Sequence, residues 1–285
     1  MKNRVARLAL ILLAVAATCL SIGSLILLTD NGEGNRFAEE HTVNDELLFS
    51  SGDVKSLRVE SITNTIRVHE TDTDTIRFHL NGSHAGPDEN LLWLDSFSDN
   101  GELVVRVRRK HIVMFLFYYE NVTLDIYLPK MTFERLNIDT TSADLDAQFL
   151  RASEFSYDTT SGDMHIGTLE TGQTTINTTS GDVLINAMNG RLLFNSVSGE
   201  INARFEKLAD DISISTTAGA TRITLPANSE FRLDTSSVSG SVYCDFPLLR
   251  KECVRSDHEW SAVVGAGKIK ITWGSVSGDL ELLAR

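Results

Sequence analysis

One feature constrains the fold more than any other: a short string recurs at nearly constant spacing. Thr-Thr-Ser-Gly-Asp occupies 159–163 and again 178–182, with variants ending at Asp144, Glu200, Ala220, Ser241 and Asp279. Taking the Gly or Ala as marker gives positions 143, 162, 181, 199, 219, 240 and 278, so the steps are 19, 19, 18, 20, 21 and 38. A period near twenty residues means a stacked array of one supersecondary unit. The last step is two periods long, and one marker is missing from it.

Each copy carries the same alternation. Seven and five residues before the marker stand pairs such as Leu136/Ile138, Phe155/Tyr157, Leu192/Phe194 and Ile271/Trp273. Two and four residues after it stand Leu145/Ala147, Met164/Ile166, Val183/Ile185 and Leu280/Leu282. Even spacing puts each set on one strand face. A single unit cannot bury that face alone, so copies about 4.8 Å apart must share a core. The expected fold is all-β: a single-domain β-solenoid of 19–21-residue rungs with two or three short strands per turn. Gly162, Gly181, Gly199, Gly219, Gly240 and Gly278 are expected at the corner, where glycine accepts positive φ. Gly172 and Gly190 mark an opposite corner.

The segments flanking the array define the remaining organisation. Lys2, Arg4 and Arg7 precede an apolar run at 8–28, long enough for the roughly 30 Å hydrocarbon core at about 1.5 Å per residue. Residues 1–7 are therefore expected in the cytoplasm, 8–28 as a single-pass transmembrane signal anchor in the cell membrane, and the remainder outside. Cleavage of this segment as a signal peptide, or lipidation at Cys19, are the competing readings. Residues 29–53 are rich in acids and read as a solvated juxtamembrane stalk, with the solenoid over 54–285. Residues 246–262 read as an insertion between the markers at 240 and 278. Strand 279–283 is expected as an exposed edge unless that insertion folds over it. Cys244 is expected to point inward as a buried thiol, although a disulfide with Cys253 stays open.

The charge of −13, from 39 acids against 26 bases, excludes a nucleic-acid footprint. Ser142, Ser161 and Ser180 occupy one equivalent position in successive copies, whereas a nucleophile is singular, so no catalytic residue is expected and no cofactor is required. Two groups remain as binding candidates. Asp144, Asp163, Asp182 and Glu200 form a row that reads as a hydrated corner or, alternatively, as a Ca²⁺ site with carboxylate ligands. Arg106, Arg108, Arg109 and Lys110, followed by apolar residues including Phe115, Phe117 and Tyr118, read as the underside of a cap or as a contact for lipid or a partner protein.

The recurring Thr-Thr-Ser-Gly-Asp-Val and Ser-Val-Ser-Gly-Glu-Ile strings, with the approach from Asn121 to Asp144, resemble the bacterial "putative adhesin" β-strand-repeat family, a domain of unknown function. The resemblance covers about 54 to 285. It implies a membrane-anchored envelope protein that is non-catalytic, adhesin-like or accessory to envelope-stress signalling, with an envelope component or membrane protein as partner. The alternative from the architecture is a β-helical polysaccharide lyase or hydrolase, for which longer rungs and one unique acid–base cluster are expected.

Overall fold

The computed structural model describes residues 40–85, 89–99, 101–110, 119–248, 254–255 and 259–285. These form 20 β-strands and one 3-10 turn at Ser51–Asp53. The apolar segment 8–28 lies outside the described residues, among which no helix is long and apolar enough to cross a membrane.

Each rung has two legs. The leading leg runs into the marker corner and the trailing leg leaves it. In the middle of the stack the strands Leu145–Thr159, Met164–Thr178 and Val183–Ser196 pass through the far corner without a break, so one strand supplies a trailing leg and the next leading leg. Neighbouring rungs pair in parallel: Leu145, Met164, Val183 and Ile201 lie in one register column, and Phe155, Thr174, Leu192 and Ile212 in another. All eight are buried. At roughly 1.5–3 kcal/mol for a fully buried large aliphatic or aromatic side chain, these columns stabilise the stack, and no rung holds them alone.

The 18-residue step has a local cause. Thr171 and Gly172 of one rung face only Gly190 of the next, where the register slips between Glu170 and Gln173. Gly190 takes φ +85°, and a Cβ there would lie 2.1 Å from the Thr171 carbonyl oxygen. One residue is lost at the corner, and both legs keep their register.

The marker glycines serve mainly a different purpose from the one expected. Positive φ occurs at Gly219 and Gly240, and for Gly162, Gly181, Gly199 and Gly278 the constraint is stacking. A Cβ on Gly162 would sit 1.9 Å from Ala143 O, on Gly181 2.0 Å from Gly162 O, and on Gly199 2.2 Å from Gly181 O. Each corner rests directly on the carbonyl of the corner beneath. Tyr157 closes the first of these corners, its hydroxyl donating toward Ala143 O at 3.1 Å and Gly162 O at 3.3 Å. Burial pushes that phenol up to about 12.

The order of rungs departs from the order of the sequence at both ends. Ile269–Ser275 pairs with Ile212–Thr216 on one side and Phe231–Ser237 on the other. Leu280–Ala284 likewise lies between Thr221–Leu225 and Val242–Cys244. The rung with marker Gly278 is therefore intercalated, and the one with marker Gly240 is outermost. Strand 279–283 is not an edge, because Leu280 and Leu282 are backed by neighbours on both sides. The insertion that begins at 246 makes this possible. Phe246 packs edge-on against Phe231 at 5.0 Å. Glu259–Val264 then runs antiparallel along the outside of Phe231–Ser236, and a turn through Gly265 and Gly267 returns the chain to the inside.

The other end repeats the arrangement. Ser56–Ser61 and Thr65–Thr71 make a rung whose Leu57, Val59, Ile66 and Val68 align with Leu136, Ile138, Leu145 and Ala147. Outside it lies the rung of Glu102–Arg109 and Tyr119–Pro129. Antiparallel strands close this end: Leu92–Asp99 on one leg, Thr75–Ala85 and then Glu40–Ser50 on the other. From Glu40 onward the acidic stretch is thus not a stalk. Its alternation places Val43 in the core, Glu46 pairs with Arg77, and Asp45 accepts the Leu94 N–H at 2.7 Å. The part of that stretch before Glu40 lies outside the described residues.

Candidate functional site

The outer face of the trailing legs carries a trough of about 620 Å³ running along the stack from Arg67 to Glu281. Its two walls are register columns. One holds the residue after each marker: Asp144, Asp163, Asp182, Glu200, Ala220 and Asp279. The other holds the residue two further on, including Asp146, His165, Leu184, Asn202 and Arg222. Seven rungs border it, so the trough extends about 29 Å at roughly 4.8 Å per step.

The four acids singled out from sequence are brought together in one row, and their geometry gives them work within the fold. Asp144 Oδ1 accepts the Asp163 N–H at 3.0 Å, Asp163 Oδ1 the Asp182 N–H at 2.9 Å, and Asp182 Oδ1 the Glu200 N–H at 2.9 Å. The three aspartates thus each cap the next rung, while Glu200 supplies only its N–H to the ladder. A hydrogen bond to a charged group contributes about 1.5–3 kcal/mol when shielded and less at an exposed corner. Repulsion between carboxylates one rung apart costs about 0.9 kcal/mol in water, so the ladder holds the row in place. Among the described residues no three His, Cys, Asp or Glu converge in a way that could hold a metal ion.

Sequence order hid a fifth member of this system. Intercalation places Asp279 in the same column, where its Oδ1 accepts both the N–H of Ser241 at 2.7 Å and its hydroxyl at 2.8 Å. Those bonds hold the Asp279 carboxyl below its ordinary value. The signal was present in the sequence, since Asp279 directly follows a marker glycine.

On the second wall, Leu184 is an exposed apolar side chain, His165 Nδ1 lies 3.9 Å from Asp146, and Arg222 pairs with Glu281 at 2.6 Å. Seven acids line the trough against Arg67 and Arg222. Three of the corner serines are engaged within the turns. The hydroxyls of Ser142, Ser180 and Ser198 donate to Ile62 O, Thr160 O and Thr179 O at 3.2–3.3 Å.

The basic cluster belongs to the cap. Arg106 pairs with Glu60 at 2.7 Å and lies over the Phe97 ring at 4.4 Å. Arg108 reaches Asp95 at 3.2 Å and Arg109 reaches Glu120 at 3.0 Å. Lys110 donates its backbone N–H to Leu91 O. Glu120, whose side chain is only 9% exposed, also accepts from Asn64, so it anchors three segments of the cap. No sequence pattern marked it. Phe115, Phe117 and Tyr118 lie outside the described residues. Cys244 is a half-buried thiol with its pKa pushed up by burial, while Cys253 lies outside the described residues.

The profile of the Toastrack DUF4097 family matches residues 54–187 and, in a second overlapping placement, 130–283. The chain belongs to that family. Solved structures similar to this member include one described as a "putative adhesin" from Bacteroides fragilis, at 12% identity and TM-score 0.42, covering 84% of this chain and 96% of that one. Another, from Parabacteroides distasonis, is described as a "putative lipid binding protein", at 16% identity and TM-score 0.41, covering 88% and 98%. A third, described as a "putative cell adhesion protein", comes from Clostridium sporogenes, at 8% identity and TM-score 0.35, covering 86% and 100%. No curated protein matches this Toastrack chain.

Proposed function

We propose that this Toastrack protein is a non-catalytic binding protein of the bacterial envelope, held by a single-pass anchor at 8–28 with its solenoid outside the cytoplasm. The observation that carries the reading is the trough: an open, extended surface, one wall of which carries a carboxylate at five of the six positions that follow a marker. Chemistry at a substrate needs one nucleophile or acid–base pair in a unique setting. A repeated surface suits contact with an extended partner instead. Ser142, Ser180 and Ser198, committed to turn carbonyls, support the same conclusion. Lys2, Arg4 and Arg7 ahead of the apolar run support the orientation. Adhesin-like contact with an envelope component, or an accessory role beside an envelope-stress membrane protein, are the two forms this binding would take.

Crosslinking the full chain in its native membrane, with a Leu184→Lys variant alongside, tests the reading. One specific partner is expected with the unmodified protein and its loss with the variant. The body should also be open to protease from outside. Absence of any specific partner, or release of new reducing ends from envelope glycans by the purified protein, would reject it.

A further inference from the structure

We propose that the outer face of the leading legs carries a second site, a small notch centred on Gly274 that takes a neutral sugar ring. The proposal rests on the reading of the chain as a binding protein and adds a ligand class on a different face.

Gly274 is the anomaly. It lies within the strand Ile269–Ser275, where glycine weakens a strand by offering no side chain and losing more entropy on folding. The marker glycines are forced by a carbonyl at about 2 Å, but a Cβ on Gly274 would meet nothing within 4 Å. Its φ is not positive either. The fold therefore does not require glycine here. A strand glycine without a structural reason marks a place where something approaches the backbone.

The register shows what is missing. Gly274 is flanked by Ser215 on one side and Ser236 on the other. Their column continues through Asn195, Asn177 and Asp158. There the side chains hydrogen-bond rung to rung, Asn195 to Asn177 at 2.8 Å and Asn177 to Asp158 at 2.6 Å. The bonded ladder ends at Asn195; Ser215, Gly274 and Ser236 continue the column with short side chains or none, and a cavity of about 350 Å³ lies over Gly274. That is the lower end of the range for small-molecule sites.

The lining selects the ligand. Ser236 and Thr272 offer hydroxyls and the carboxylates of Asp234 and Glu259 stand beside them, the Ser261 hydroxyl being already donated to Asp234. Asp234 is oriented by Arg232 at 3.0 Å and by Lys270 at 3.3 Å. The lining itself carries two acids and no base, while Arg232 and Lys270 stand behind Asp234 and neutralise it, which favours an uncharged ligand over a polyanion. Many donors and acceptors around a bare peptide plane suit a ring with polar edges and a flat carbon face. A pyranose has both, its hydroxyls meeting the rim and its ring lying on the Gly274 backbone.

Calorimetric titration of the full chain, in a detergent without a sugar headgroup, tests this with maltohexaose and chitohexaose as uncharged probes and hyaluronan hexasaccharide as the anionic one. At least one uncharged oligosaccharide is expected to bind. Gly274→Val should weaken it at least tenfold with the melting temperature unchanged or raised, and Gly274→Ser, which restores the column, should do the same. The proposal is overturned if neither uncharged probe binds, if both variants bind as tightly as the unmodified protein, if hyaluronan binds equally well, or if both variants lower the melting temperature. Failure here with crosslinking to the envelope partner intact removes the notch alone. Failure of both removes the binding reading itself.

Discussion

Replacing Gly181 by alanine should cost about 2–3 kcal/mol, and the reason is the position of one carbonyl. The new Cβ would lie 2.0 Å from Gly162 O and 2.9 Å from its carbon, so the two corners must part by more than about 1 Å where rungs stand about 4.8 Å apart. Three backbone N–H groups bond across these rungs at that point, beside the longer Ser180 hydroxyl contact: Ser180 N–H to Thr160 O at 2.9 Å, Met164 N–H to Asp182 O at 2.8 Å, and Asp182 N–H to Asp163 Oδ1 at 2.9 Å. Weakening all three at about 0.5–1.5 kcal/mol each gives about 1.5–4.5 kcal/mol. The loss of backbone freedom in the unfolded chain returns about 0.4–1 kcal/mol. Because Gly181 does not have positive φ, no torsional strain enters the sum. Gly172→Ala is the control, since its Cβ meets only Ser153, at 3.0 Å and beyond, and should cost less than about 1 kcal/mol. Urea unfolding at constant m-value measures the difference, and amide exchange at Ser180, Asp182 and Met164 should locate it. If Gly181→Ala lies within about 0.5 kcal/mol of the unmodified protein, or matches Gly172→Ala, the stacked-carbonyl account is wrong.

Intercalation predicts a crosslink: Ser213→Cys with Thr272→Cys should form a disulfide, because these residues are register neighbours, whereas Ser213→Cys with Asp234→Cys, two rungs apart at roughly 9.6 Å, should not; the opposite result on non-reducing gels would restore sequential stacking. Arg109→Ser should destabilise the cap by about 2 kcal/mol, since it strips a guanidinium from the buried Glu120. Arg108→Ser, whose partner Asp95 is exposed, should cost under about 1 kcal/mol, and equal thermal shifts would contradict this ranking. Burial raises the Asp125 carboxyl, but hydrogen bonds from His69 and Asn81 outweigh it and leave the pKa lowered. Its contribution is thus present above the unfolded value of about 3.9 and is lost as pH falls through the lower folded value, so Asp125→Asn should flatten the acid limb of a stability–pH curve. Asp139 behaves oppositely, its pKa raised by burial against the pull of Arg58: its contribution is lost as pH rises through the folded value, and Asp139→Asn should gain stability at neutral pH. A loss measured there would refute the assignment.

The inward columns were legible because they depend on nothing but alternation and period. Every inward pair expected from sequence is buried except Val242 and Cys244, which stand on the outermost rung. The order of rungs was not legible, for a physical reason. Ile212, Ile271 and Leu233 present nearly the same aliphatic surface at the same register, so the pattern that identifies a rung says nothing about which rung lies beside it. The rung at 56–71 was visible only as alternating strands, because its corner, Ile62-Thr63-Asn64, has no glycine to mark it. The acid row was found from spacing, but its role was not. Whether a carboxylate faces a cation or a backbone N–H depends on the rise between rungs, which spacing along the chain does not encode.

The displaced rungs at the two ends have a common physical rationale. A parallel stack that stopped at its outermost rung would present unpaired N–H and C=O groups as a template for another chain. Covering a leg antiparallel requires the chain to reverse direction, and a reversed chain must then travel back before it can form another parallel rung. At the Gly240 rung one excursion does both: Glu259–Val264 lies along the outside of Phe231–Ser236, and the turn after it delivers Ile269–Ser275 to the inside. The outer rung is therefore incomplete until a later segment inserts beneath it, with Trp273 fully buried and its Nε1 donating to Thr221 Oγ1 at 3.1 Å. Closure of this end is cooperative with insertion, so amide protection over 231–244 should appear no earlier than protection over 269–284 during refolding, even though 231–244 comes first along the chain. Earlier protection of 231–244 would mean that the outer rung docks directly on 212–225 and is later displaced.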